Sequence, residues 1–270
     1  MSEKFTETID TVASLLDERV DGYEIFLSSS NGTAIEVKAA EVDAFKVRSE
    51  TGIGLRIIKD GRPGFGYTNV FVSEDLRRMV SSAIDGSVAA DKDEALCFTD
   101  KCETSITASE LDLIDDGFDA LSESEKIECA ASVESSAKGF DERIATVRKA
   151  SYNTSTMTTR VVNSNGVDAD YSATFYSASV MAVATAKAVS KNGSEDSQVG
   201  WEVSMGHKRG DVDCAGVGTE AARRAVEMLG AEQIKTIKCS AVFENAVVMD
   251  FLGVLASALS GDNVMKGKSM

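Results

Sequence analysis

Residues Tyr23–Thr68 read YEIFLSSSNGTAIEVKAAEVDAFKVRSETGIGLRIIKDGRPGFGYT, and they decide the fold class. Tyr23, Ile25 and Leu27 alternate with less apolar neighbours, which is the period of a half-buried strand. Asn31-Gly32 is a tight-hairpin signal, and Ile35 and Val37 resume the alternation beyond it. Phe45 and Val47 mark a third strand and Ile53, Leu55 and Ile57 a fourth. Lys59-Asp60-Gly61 then turns the chain into Phe65–Thr68. Links this short join antiparallel strands, because a parallel pair needs a long crossover.

Helices flank this run. Phe5, Ile9, Val12, Ala13, Leu16 and Val20 recur at helical spacing over residues 3–20, with Gly22 as the stop. On the other side Ser73 is the expected cap of a helix, with Glu74 and Asp75 in its first turn and Leu76, Met79, Val80 and Ile84 on its apolar face. Residues 86–121 are acidic and weakly periodic and read as a connection. The pattern then recurs. Ser122-x-x-Glu125 is a capping box before a helix carrying Ile127, Ala130, Ala131, Val133 and Ala137, stopped at Gly139. Ile144–Ser151, Met157–Val162, residues 170–189 and Val199–Met205 read as strands, with Asn165-Gly166 as a turn. A helix near 215–229 ends at Gly230, Ile237–Phe243 reads as a short strand, and a last helix follows. The expectation is an α+β chain of helix-flanked antiparallel sheets, with two similarly laid-out layers and a C-terminal apolar helix. Its divisions are 1–90, an acidic connection 91–121, and 122–270.

Composition narrows the function. With 28 Lys and Arg against 44 Asp and Glu, the net charge of −16 disfavours nucleic acid as a direct partner. No apolar run is long enough to span a membrane. Cys97, Cys102, Cys129, Cys214 and Cys239 form no C-x-x-C pair, and the start of the chain shows no secretory leader, so free thiols in the cytoplasm are expected. The N-x-S/T matches at Asn31, Asn153 and Asn192 are then chance. Gly261 through Ser269 fails the Walker spacing, because the glycine required five residues before Gly267 is Asp262. Gly52-x-Gly54 and Gly64-x-Gly66 complete no dinucleotide fingerprint and read as close backbone approach. His207 is the only histidine, and no Gly-x-Ser-x-Gly elbow presents a nucleophile, so a surface loop is its expected place. The carboxylate pairs Asp115/Asp116, Glu123/Glu125 and Asp211/Asp213 are expected by chance among so many acids. Trp201 with Tyr171, Phe175 and Tyr176 could line a peptide groove, although such spacing more often marks cross-strand packing.

The end of the chain, FENAVVMDFLGVLASALSGDNVMKGKSM from Phe243 to Met270, joins an apolar helix to the polar turn Ser260-Gly261-Asp262 and a basic tail. Together with Gly52–Tyr67 and Asn163-Ser-Asn-Gly166, this segment resembles the TldD/PmbA family, and ALSGDN…KGKS resembles its PmbA (TldE) branch. The resemblance implies a protein linked to a metallopeptidase acting on unfolded peptides and to modulation of DNA gyrase. It implies a longer architecture with a β-rich C-terminal domain, so the chain is read as stopping where that domain would begin. The TldD branch carries an HExxxH metal motif on the helix matching this last one. Leu252, Gly253 and Ser257 stand at those positions here. The resemblance therefore implies a non-catalytic TldE-like subunit, with zinc only in a TldD-like partner and no cofactor in this chain. Gly261, Asp262, Asn263, Lys266, Gly267 and Lys268 are then the candidate peptide or partner contacts, and a homodimer through the last helix is a further assembly to consider. The rival reading is a stand-alone, gyrase-modulator-like cytoplasmic binding protein without catalysis. An enzyme with a metal-free site is a third.

Overall fold

The computed structural model describes residues 3–16, 19–101, 106, 108–189 and 195–269. Cys102 and Asn192 lie outside them, as do positions 17 and 18 of the first expected helix. The chain divides into two units, residues 1–230 and 231–270.

The first unit holds α1 (Glu3–Leu16), β1 (Gly22–Lys38), β2 (Glu41–Lys59), β3 (Arg62–Thr68) and α2 (Ser73–Ala89). After the one-turn helix α3 (Ala108–Leu111) come α4 (Glu123–Phe140), β4 (Ile144–Asn163), β5 (Asp168–Val189), β6 (Glu195–Gly206) and α5 (Cys214–Glu227). The six strands form one antiparallel sheet in the order β3-β2-β1-β4-β5-β6. Helix, three-strand meander, helix thus occurs twice, as the sequence suggests. The two copies are halves of one sheet rather than stacked layers. Their first strands, β1 and β4, pair antiparallel from Glu24↔Asn163 to Val37↔Ala150, which is what a two-fold axis normal to the sheet requires.

The two central strands, β1 and β4, are long because each crosses both halves. On β1, Ile25 and Leu27 are buried with α1 and α2, whereas Ile35 and Val37 are buried with α4 and α5. Between them Ser29, Asn31 and Thr33 face the gap separating the two cores, and Ser29 Oγ lies 3.0 Å from Thr51 Oγ1. That polar stretch imitates a turn in the sequence. The hairpin expected at Asn31-Gly32 does not exist: both residues pair with β2 and β4 in mid-strand. A Cβ at Gly32 would lie 2.9 Å from the Thr154 carbonyl oxygen, so this glycine serves close strand contact. The real β1–β2 turn is Ala39-Ala40, with φ of 54° and 64°. For the same reason the third and fourth expected strands are the single strand β2, and Ile144–Ser151 and Met157–Val162 are the single strand β4.

Other expectations divide. The turn Asp60-Gly61, with φ of 53° and 69°, the turn at Gly166 and the Ser122–Glu125 capping box are all present. Ser73 opens α2 without capping it, since Val72 occupies the cap position and makes no side-chain bond. Gly22 begins β1 instead of closing α1, and Gly139 lies inside α4. Residues 237–243 form no strand. Glycines on the edge strands admit the helices: a Cβ on Gly64 would sit 2.1 Å from the Ala83 carbonyl oxygen, and one on Gly200 would sit 2.0 Å from that of Ala221.

The second unit contains α6 (Asn245–Ala258) and α7 (Gly261–Met265). No described helix is long and apolar enough to cross a membrane.

Candidate functional site

The helices of the first unit bury one face of its sheet. The other face presents Phe26, Ser28, Ser30, Gly32 and Ala34 from β1, which pair across to Gly54, Gly52, Glu50, Arg48 and Lys46 of β2. Next to β1 on β4, the same face continues through Met157, Ser155 and Asn153, which pair with Ala173, Phe175 and Ser177 of β5. Small hydroxyls and glycines fill its middle, so backbone is reachable there.

The distinctive feature lies at the edge. β3 pairs with β2 only from Ile53↔Thr68 to Lys59↔Arg62. The outer side of β2 from Glu41 to Gly52 therefore has no strand neighbour among the described residues. A notch of about 700 Å³ opens where β3 leaves off, lined by Ser28, Ser30, Ser49, Glu50, Thr51, Gly52 and Asn69. A second hollow of about 340 Å³ continues over Gly32, Arg48, Glu50, Asn153 and Ser177. The equivalent edge in the other half is treated differently. There β6 starts pairing at Tyr176↔Gly206, and the preceding stretch of β5 is met by the connecting segment. Thr174 N donates to the Leu113 carbonyl at 2.9 Å, and Asp115 N donates to Thr174 Oγ1 at 2.9 Å.

An unpaired edge offers main-chain N–H and C=O groups to any extended chain. Along β2, Lys46, Arg48 and Glu50 project to the open face, and Phe45 and Val47 project to the opposite one. Val47 is 73% exposed and Phe45 38%. A peptide adding here as a strand would meet charge on one side and apolar surface on the other. That is the recognition mode in which backbone bonds give affinity and alternate side chains give specificity.

The residues singled out by sequence fall elsewhere. Gly261, Asp262 and Asn263 lie in α7, and Lys266, Gly267 and Lys268 in the turn after it, all within the second unit. Ser260 Oγ caps α7 by accepting from Asn263 N at 3.4 Å. Asn263 Nδ2 donates to the Ser257 carbonyl at 2.7 Å, and the Asn263 carbonyl accepts from Lys268 N at 2.8 Å. Lys266 pairs with Asp262 at 2.7 Å, and Gly267 has φ of 64°. Asn263 and Lys268, with Asp250, Gly253 and Ser257, line a shallow hollow beside α6. This is a self-bonded helix end, and the glycine-rich tail makes no phosphate cradle.

His207 follows β6 and is half-buried. Its Nδ1 lies 2.8 Å from the Thr174 carbonyl and its ring 4.8 Å from that of Phe175. Tyr176 points to the helix side and is buried, whereas Tyr171, Phe175 and Trp201 belong to the open face, so these aromatics share no single groove. Of the acid pairs, Asp115 and Glu125 converge on Arg209. Asp115 accepts from the Arg209 backbone N–H at 2.9 Å, and Glu125 pairs with the guanidinium at 3.0 Å. The Ser122 N–H and hydroxyl, then Arg209, hold the Glu125 carboxyl down at about 2. Asp116, Glu123, Asp211 and Asp213 do not join them as a catalytic pair. Among the described residues, no three His, Cys, Asp or Glu side chains cluster as metal ligands do. Sequence reading missed the free edge of β2, because it depends on where β3 ends.

Comparison with known proteins adds the following. Residues 23–87 match the family model described as PmbA/TldA metallopeptidase domain 1, and residues 116–229 match the PmbA/TldA metallopeptidase central domain. Metalloprotease PmbA of Escherichia coli O157:H7 is 26% identical over 261 residues, which is 96% of this chain and 56% of the relative. A Buchnera aphidicola homologue is 25% identical over 89% of this chain and 52% of its own length. The chain thus spans about half the length of these curated relatives. Among solved structures, a proposed DNA gyrase modulator from Bacteroides thetaiotaomicron superposes with a TM-score of 0.86 at 24% identity, covering 98% of this chain and 59% of that one. TldE from Thermococcus kodakarensis gives 0.64 at 15%, covering 83% and 47%. These two likenesses concern the fold.

Proposed function

The chain belongs to the PmbA/TldD metallopeptidase family, and from that premise we propose that it is a non-catalytic, TldE-like subunit that presents unfolded peptide to a metal-bearing TldD-like partner. The free edge of β2 is the observation that carries the peptide role. It offers about a dozen residues of unpaired backbone beside an open notch, and strand addition needs little more than this.

The absence of catalysis rests on residue chemistry. A zinc site needs three or four nitrogen, sulfur or carboxylate donors. On α6 the positions that resemble the metal motif carry Leu252, Gly253 and Ser257, which supply none of these, and the whole sequence has one histidine. These residues do not fit the metal, so no step is derived through one. The proposed partner brings the metal, and this chain brings binding surface. With a charge of −16 it has no electrostatic reason to contact DNA, so direct nucleic-acid binding is not part of this reading.

The second unit supplies the proposed partner surface. Within that unit the apolar residues of α6, among them Phe251, Leu252 and Leu255, are exposed. Such a surface drives association, either with the TldD-like subunit or with a second copy of this chain. Light scattering of the purified chain should show association that Phe251→Ser with Leu255→Ser abolishes.

The deciding experiment mixes the purified chain with a TldD-like subunit and a labelled, unstructured twelve-residue peptide. Alone, the chain should bind the peptide and leave it uncut, and backbone amides in residues 41–51 should gain hydrogen-exchange protection. Cleavage should need the partner. Cleavage by the chain alone with a chelator present would refute the subunit role. Binding that survives N-methylation of alternate peptide amides in both registers would refute strand addition.

A further inference from the structure

The α4–α5 contact holds a second site. Gly218 brings α5 against α4: a Cβ there would lie 2.3 Å from the Val133 carbonyl oxygen and 2.9 Å from Ala137 N. One turn upstream of that contact on each helix stand Cys129, four residues before Val133, and Cys214, four residues before Gly218. Both are free and half-buried, and both pack against the same core cluster beneath β4–β6. Two groups adjoin the pair. Arg209 is fixed by Glu125, one turn before Cys129 on α4, and its charge favours the thiolate form. Tyr152, in the same cluster, is 1% exposed, and its hydroxyl has no hydrogen-bond partner among the described residues.

We propose that Cys129 and Cys214 form a peroxide-reactive dithiol that closes into a disulfide joining α4 to α5, with Cys129 as the attacking thiolate and Cys214 as the resolving thiol. The Cys129 thiolate attacks one oxygen of hydrogen peroxide. An S–O bond forms, the O–O bond breaks, and the departing hydroxide takes a proton to become water. The Cys214 sulfur then attacks Cys129 Sγ. The S–S bond forms, the S–O bond breaks, and the second hydroxide leaves as water with the Cys214 proton. Two thiols lose two electrons, and one peroxide becomes two waters.

The electrostatics suit this division of roles. The neighbouring Cys214 thiol is the largest influence on Cys129; burial opposes it, the Arg209 charge assists it, and the net direction is down. The same neighbour, followed by burial, pushes Cys214 up. The other ionisable groups facing the pair are Glu125, neutralised on Arg209, and Asp213, which caps α5. Cys129 is thus the member of the pair pushed toward the thiolate, and a thiolate is what attacks peroxide.

The test treats the purified, reduced chain with one equivalent of hydrogen peroxide at pH 7 and maps non-reduced peptides by mass spectrometry. The expected product is a Cys129–Cys214 cross-linked peptide, formed before the exposed Cys97 and Cys239 react. Cys214→Ser should stop at a sulfenic acid on Cys129 that a dimedone probe captures. Arg209→Gln should slow the first step several-fold. Oxidation of Cys97 or Cys239 ahead of the pair with no cross-link, or equal rates in the wild type and Arg209→Gln, would overturn the proposal.

Discussion

Under β1–β3 the core is built from branched hydrocarbon: Ile25, Leu27, Ile53, Leu55 and Ile57 pack against Val12, Leu16 and Val80. Under β4–β6 it is built largely from alanine, with Ala178, Ala182 and Ala184 of β5 meeting Ala221, Ala222 and Ala225 of α5, and with Tyr152 and Tyr176 at one end. The strand plan is the same and the filling differs. Both halves let a helix backbone close on an edge strand, at Gly64 in one and at Gly200 in the other. Alanines, unlike the branched residues, fill little of the layer themselves. They leave the tyrosines, two thiols and Arg209 to fill the end of the layer. One half is therefore a plain hydrocarbon wedge, and the other combines tight packing with a reactive polar end.

The largest expected effect tests the first half. Leu55 is fully buried in mid-core. Leu55→Ala should cost about 2–5 kcal/mol through lost burial and a residual cavity. Ala182→Gly, its counterpart in the alanine layer, should cost about 1 kcal/mol or less, mainly as backbone entropy. Urea titration of both variants would decide it, and equal losses would break the contrast.

Next come the glycines under the helices. Gly200→Ala and Gly64→Ala should each cost about 1–3 kcal/mol, because the new methyl meets rigid helix backbone. Gly54→Ala should be near neutral, since its nearest neighbour is the Phe65 ring at 3.8 Å. Thermal melts of the three variants would sharpen the comparison. Tolerance at Gly200 alone would mean that the alanine layer has slack that the structure does not show.

A third effect concerns the buried acid that ties the halves together. Glu134 on α4 accepts from Ala39 N at 2.7 Å and Ala40 N at 2.8 Å and pairs with Lys138 at 2.8 Å. Burial pushes its carboxyl up, but Lys138 and the two backbone amides outweigh burial, and the net direction is down. A carboxyl depressed on folding contributes stability above its unfolded value, about 4.3, and loses that contribution as pH falls through the folded value. Glu134→Gln should cost about 1–2 kcal/mol at pH 7. It should also flatten the fall in stability of the parent below about pH 4. Parallel acid unfolding curves for the two proteins would refute the anchoring role.

The sequence announces the doubled helix–meander–helix plan, the Asp60-Gly61 turn and the Ser122 capping box, because each is written in local spacing. It conceals strand length. Hydrophobic alternation reports which helix pair lies beneath a residue, and it lapses wherever a strand crosses between pairs. Ser29–Thr33 on β1 therefore reads as a loop while pairing on both sides. The free edge of β2 is hidden for a related reason: it follows from β3 stopping at Thr68, twelve residues short of spanning its partner. Nor does spacing reveal the Cys129–Cys214 pair, since 85 positions separate two residues that only the helix crossing brings together.

The smallest expected effect turns on the misleading dipeptide. The real hairpin places Ala39 and Ala40 at φ of 54° and 64°, a left-handed pair that costs an L-residue with a Cβ about 1–2 kcal/mol each. Two positive φ values in a two-residue turn are what Asn-Gly accommodates best. Moving that dipeptide here, as Ala39→Asn with Ala40→Gly, should therefore raise stability, and greater freedom of glycine in the unfolded chain limits the gain to about 1 kcal/mol. The Glu134 bonds are made to backbone N–H groups, which the substitutions leave in place. Gly32→Ala is the matching control. It should destabilise, because the methyl would sit 2.9 Å from the Thr154 carbonyl between two paired strands. Denaturant midpoints that moved the other way at both places would return the turn to Asn31-Gly32 and split β1 into the two short strands that its sequence resembles.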